Sequence, residues 1–142
     1  MVSLQSESEE YKMNALEIEE TLAQYYGTMQ LHRWSFLFRK HVATDGVLKM
    51  AELCQAFWLL DAIASHQPKL LKDPMLRNFQ KWTLTVKESR ATLVCELDTD
   101  DVAVRQKIGY TNFPLPEMVI YVKPTQLGNG ENVWVLMLVS EN

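Results

Sequence analysis

The stretch QKWTLTVKESRATLVCEL, residues 80–97, alternates with period two on both sides of a short polar turn. Trp82, Leu84 and Val86 fall on one face of its first half, and Lys81, Thr83, Thr85 and Lys87 on the other. Beyond Glu88-Ser89-Arg90, the residues Ala91, Leu93, Cys95 and Leu97 share a face in turn. Successive side chains of a strand point to opposite faces, so the pattern predicts a half-buried antiparallel hairpin, Gln80–Lys87 with Ala91–Leu97.

Toward the C-terminus, the acidic DTDD of residues 98–101 reads as a turn. VAVRQKIGY, which follows, fits neither period. Two more strands are predicted, Glu117–Lys123 and Val133–Val139, joined by PTQLGNGEN with its two glycines. In the last strand Trp134, Leu136 and Leu138 face one way, while Val135, Met137 and Val139 face the other. A strand apolar on both faces belongs inside a sheet, covered on both sides or at an interface.

Toward the N-terminus the period changes. Asp73 before Pro74 marks the start of a short helical turn. The run GVLKMAELCQAFWLLDAIASHQ, Gly46 to Gln67, carries a broad apolar stripe including Val47, Met50, Cys54, Phe57 and Ala64. It predicts one helix, or two with a break near Gln55, capped by Thr44 or Asp45 and ended by Pro68. In LHRWSFLF, Leu31 to Phe38, the aromatics Trp34, Phe36 and Phe38 alternate with Arg33, Ser35 and Leu37, which suits a half-buried strand better than a helix, the alternative reading. From Ala15 to Tyr26 the steps Ile18, Leu22 and Tyr25 fit one helical face, with Gly27 as its C-terminal cap. Residues 1–14 are acidic and aperiodic, and read as a flexible arm. The expected whole is a single α+β domain over residues 15–142, with N-terminal helices packed on a mostly antiparallel C-terminal sheet.

With 142 residues the chain has the usual size of one domain, large enough for a core without a metal or disulfide staple. Its net charge of −4 is unevenly spread: −5 over residues 1–30, +5 over 31–95 and −4 over 96–142. Such blocks either solvate separate surfaces or steer a partner. Cys54 and Cys95 stand among apolar neighbours and read as buried thiols of a reducing compartment. The N-terminus has no apolar leader, and the longest apolar run, the seven residues VWVLMLV, is far short of the about 20 a membrane helix needs. A cytoplasmic protein with no membrane segment is expected.

Signatures of common chemistry are missing: there is no GxGxxG, GK[ST] loop, CxxC, HExxH or GxSxG. Neither a cofactor nor a metal is expected. Four residues are weak site candidates. Cys54, Asp61 and Ser65, spaced seven and four apart, share a stripe of a continuous helix. A thiol nucleophile there needs a base, and His66 is about 18 Å from Cys54 along such a helix. His32 or His41 would have to supply it, and Cys54 is more simply a core residue. Asp61 interrupts FWLLDAIA and needs a partner if it is buried. Phe113, in the proline-bracketed YTNFPLPE of residues 110–117, either anchors a docking ridge or tucks into the core, and the core is favoured. The basic middle block, with Trp34 and Trp82 interleaved, has the ingredients of a nucleic-acid surface, but the pI near 5.4 and the acidic ends oppose it.

Three segments, TDGV (44–47), FWLLDAIASHQ (57–67) and IGYTNFPLPE (108–117), resemble a family of small uncharacterised bacterial proteins, cyanobacterial ones among them. The resemblance implies one domain and brings no activity, ligand or catalytic residue. The residues favour a non-catalytic protein-interaction or regulatory module, with a second copy as the simplest partner. A small enzyme with a pocket near Asp61 and a weak nucleic-acid binder are the alternatives.

Overall fold

The computed structural model describes residues 14–25, 30–98 and 101–142. Most of the predicted arm and the predicted cap Gly27 lie outside them. Asn14, the last residue of that arm, caps the first helix by accepting from the Glu17 amide at 2.8 Å. Helix α1, Ala15–Leu22, buries Ile18 and Leu22, one turn apart.

A seven-stranded sheet follows, mixed and mostly antiparallel, as an α+β chain requires. The hairpin of the opening stretch is present as β3 (Gln80–Lys87) and β4 (Arg90–Asp98), turned through Glu88 and Ser89, both at positive φ. The ambiguous VAVRQKIGY continues this meander: β5 (Asp101–Ile108) pairs antiparallel with β4 through two register shifts. β6 (Glu117–Gln126) pairs with β3 on one side and β7 (Asn132–Leu138) on the other.

Two expectations need correction at the other edge. Of the predicted strand Leu31–Phe38, only β1 (Leu31–His32) pairs. Residues 33–40 form a loop, because its polar groups are claimed individually: Arg33 Nε donates to the Arg39 carbonyl at 3.2 Å, and Ser35 Oγ accepts from the Leu37 amide at 3.1 Å. The other strand, β2 (His41–Thr44), was not foreseen. It lies between β1 and β7 and runs parallel to β7, with His41 opposite Trp134 and Ala43 opposite Leu136. The helices and strands are therefore interleaved in the sequence.

The predicted helix Gly46–Gln67 is interrupted twice. α2 (Asp45–Leu53) starts on a Thr44 cap and ends where Gln55 adopts φ +52°. α3 (Phe57–Ser65) follows, and Pro68 then sits in the first turn of a short α4 (Gln67–Leu70) rather than past a helix end. Asp73 caps α5 (Pro74–Asn78) as its spacing predicts.

Helices and strands contribute to one main core, which holds Ile18, Met50, Leu60, Trp82, Leu93 and Leu136. A second buried set, Val42, Val133, Val135 and Met137, is separate from it. β7 thus buries residues of both its faces, as its double apolar pattern requires, and its place between β2 and β6 is the reason. The final 3-10 turn, Val139–Glu141, brings the buried Glu141 carboxylate to the start of α2. There it accepts from Thr44 Oγ1 at 2.6 Å, the Leu138 amide at 2.9 Å and the Gly46 amide at 3.2 Å. No helix among the described residues is long and apolar enough to cross a membrane.

Candidate functional site

Among the described residues, the loop between β1 and β2 carries the most exposed large apolar side chains. Phe36 is 91% exposed and Leu37 85%, although apolar side chains of this size usually find cover. Local contacts give the loop its shape. Trp34 Nε1 donates to Asp61 Oδ1 at 2.9 Å, which ties the loop to α3. Arg33 Nη2 donates to Glu131 Oε1 at 2.7 Å, which ties it to the β6–β7 turn. Arg33, with help from Lys40, holds the Glu131 carboxyl below its ordinary pKa. Arg39 carries a cation that forms no ion pair among the described residues.

Hollows border the loop. The larger, about 580 Å³, is lined by Arg33, Trp34, Ser35, Phe36, Arg39 and Glu131. The second, about 340 Å³, lies between the loop and the α3–α4 junction, where Arg39 and Lys40 meet Ser65, Pro68 and Trp134. His41 and Gln67 also line it.

Behind this cleft runs a chain of buried polar groups. Gln67 and Gln80 exchange two side-chain hydrogen bonds, each 2.8 Å long. The Gln67 amide nitrogen also donates to the Ile63 carbonyl, and that of Gln80 to the Leu76 carbonyl, both at 3.1 Å. Trp82 Nε1 donates to Gln80 Oε1 at 2.8 Å. The two backbone carbonyls fix which end of each amide is nitrogen, so the network has one consistent arrangement. His41 joins it from β2, with its ring stacked on Trp134 at a centroid distance of 6.0 Å. Burial holds the His41 pKa below 6.5, against a hydrogen bond with the Gln67 side chain that raises it. His41 Nε2 is buried and has no hydrogen-bond partner among the described residues.

The four candidate residues do not converge. Cys54 is buried in the core, and burial pushes its thiol up to about 11. It is no nucleophile at neutral pH. Cys95 is likewise buried and pushed up to about 12 by burial and the charge of Glu96. Asp61 is exposed and holds Trp34 rather than a basic side chain. Ser65, exposed at the end of α3, donates to the Ala62 carbonyl at 2.7 Å and borders the smaller cleft. Phe113 is in the core, with its amide donating to Thr111 Oγ1 at 3.1 Å. Trp82, one of the two tryptophans read as interleaved with the basic side chains, is 1% exposed and presents no face for a base to stack on.

The sequence reading named His41 only as a stand-in base and did not notice Gln67, Gln80 or Trp134 as a group. No spacing rule joins them, because β2, α4, β3 and β7 meet only in the folded sheet. Among the described residues, no three His, Cys, Asp or Glu gather as a metal set. The chain matches no curated protein and no solved structure. A family model does match it over residues 16–142, and its description is a family of unknown function, DUF6876.

Proposed function

Because the chain belongs to the family of unknown function DUF6876, we propose from its own surface that it is a non-catalytic interaction module that docks an acidic, partly apolar segment of another protein on the loop of residues 33–40. The observation that carries this reading is the adjacent pair Phe36 and Leu37, 91% and 85% exposed at the tip of a braced loop. Side chains of this kind are the usual anchors of an interface, and burying each is worth roughly 1.5–3 kcal/mol. Arg39 beside them, without an intramolecular counter-ion among the described residues, supplies charge complementarity to a carboxylate. The Trp34–Asp61 and Arg33–Glu131 bonds hold the loop in shape before a partner arrives, which lowers the entropy lost on binding. The free, buried thiols Cys54 and Cys95 fit an intracellular setting for this role.

The test is a titration of the labelled domain with short peptides alternating Glu with Phe or Leu, followed by amide chemical shifts. Shifts confined to residues 33–40 and their neighbours are expected, with affinity that falls as salt rises. Phe36→Ser with Leu37→Ser should weaken binding at least about tenfold, and Arg39→Glu should do the same. Peptide binding that ignores these variants removes the reading. Self-association abolished by the Phe36/Leu37 variant would replace the acidic partner with a second copy of the chain.

A further inference from the structure

We propose that the outward face of β3, β4 and β5 binds single-stranded nucleic acid, with phosphates on a cationic corner and a base on the aromatic pair Phe79 and Tyr121. No residue of this face belongs to the loop of residues 33–40, so the proposal stands whether or not that loop docks a protein.

Strand register builds the corner. Trp82 and Leu84 of β3 and Leu93 and Cys95 of β4 lie in the main core. Alternation therefore turns Lys87 and Arg90 to the opposite face, where they stand directly across from each other. On β5, Lys107 is opposite Thr92 and Arg105 is opposite Val94. Arg90 and Lys107 are thus diagonal neighbours, a separation of roughly 7–8 Å. All four cations are exposed, and none forms an ion pair among the described residues. Glu88 in the turn, Glu96 opposite Lys81 and Glu117 opposite Thr85 do not pair with them. Like charges directly opposite each other destabilise a sheet, so this corner is repulsive until an anion fills it.

The same face supplies a stacking surface. Phe79, just ahead of β3, meets the ring of Tyr121 on β6 at a centroid distance of 4.9 Å, and it is 40% exposed. Tyr121 is opposite Lys81, a further exposed cation of this face. Between the rings and the corner lie Thr83, Thr85 and Thr92, whose hydroxyls suit phosphate and sugar oxygens. A sheet face with aromatics at one end and cations at the other fits a single strand, whose unstacked bases are free to lie on a ring. An acidic peptide would use the cations and leave the rings unused. The net charge of −4 gives no long-range attraction to a polyanion, so binding rests on these local contacts.

The experiment titrates the whole chain into a labelled twelve-nucleotide oligothymidylate and into a labelled twelve-residue polyglutamate. Fluorescence anisotropy reads binding from about 50 to about 200 mM salt. Oligothymidylate should bind, with log affinity falling against log salt at a slope of about −3, for four phosphate contacts at about 0.7 each. Polyglutamate should bind at least about tenfold more weakly. Arg105→Gln with Lys107→Gln should weaken oligothymidylate about tenfold and flatten the slope to about −1.5. Its urea midpoint should stay unchanged or rise, because repulsion has been relieved. Phe79→Leu should weaken binding about tenfold and leave the slope as it was. Arg39→Glu, in the loop, should change affinity less than about twofold, which separates this face from the loop's own partner. No binding at about 50 mM salt would overturn the proposal. So would polyglutamate bound as tightly as oligothymidylate, which would mean a general polyanion patch, or an affinity that ignores either the Arg105/Lys107 or the Phe79 variant.

Discussion

Glu141 explains a glycine that helix propensity alone would disfavour. A Cβ added to Gly46 would lie 2.7 Å from Glu141 Oε1, inside van der Waals contact. That carboxylate cannot simply swing away, because it is buried and accepts three hydrogen bonds at the N-terminus of α2. Gly46→Ala should therefore cost roughly 1–3 kcal/mol, as an overpacked site does. Glu141→Ala should cost about 3 kcal/mol, since buried donors lose a charged partner. In the Glu141→Ala background, Gly46→Ala should become neutral or mildly stabilising, because alanine is the better helix former. Urea midpoints of the four proteins check this, and an equal loss in both backgrounds would refute the clasp. Sequence reading could see the Thr44 cap, whose Oγ1 does accept from the Val47 amide at 3.2 Å. It could not see Glu141, which lies 97 residues from Thr44.

Among the elements, legibility tracked whether one face was wet. β3 alternates because its polar face is largely exposed, and the alternation is visible in the letters. β2 is four residues long and buried throughout, so HVAT gives no period at all. The loop of residues 33–40 misled in the opposite way. Its alternation is real, but Trp34 turns to Asp61 while Phe36 turns to solvent, and no strand lies alongside. A break near Gln55 was one of two readings of that run, and the backbone there gives a test. Gln55 sits at φ +52°, exposed, where a side chain with a Cβ costs about 1–2 kcal/mol. Gln55→Gly should raise the unfolding free energy by up to about 1 kcal/mol, and Gln55→Val should lower it by a similar amount. Thermal melts of both decide. A glycine variant no more stable than the parent would show that the left-handed residue carries no strain.

At the scale of the whole molecule, the two thiols report on cooperativity. Cys54 closes α2 and Cys95 sits in β4, one strand in from the edge strand β5, both buried and with pKa values raised to about 11 and about 12. A maleimide should label neither in the native state, and both should react at one rate as urea opens the domain. Faster labelling of Cys54 would mean that the helices open apart from the sheet. The candidate cleft was illegible at this scale for a related reason: His41 and Trp134 become neighbours only through the parallel pairing of β2 with β7. That pairing also has a temporal side. On the ribosome β3 to β6 emerge and zip together while β7 is still unmade, leaving β2 and β6 as two bare edges waiting for the strand that goes between them. Bare edges recruit whatever strand is at hand. A nascent chain that ends after β6 and before β7 thus leaves the slot between β2 and β6 unfilled, and it is then, rather than when finished, that its unpaired edges are most open to a wrong partner.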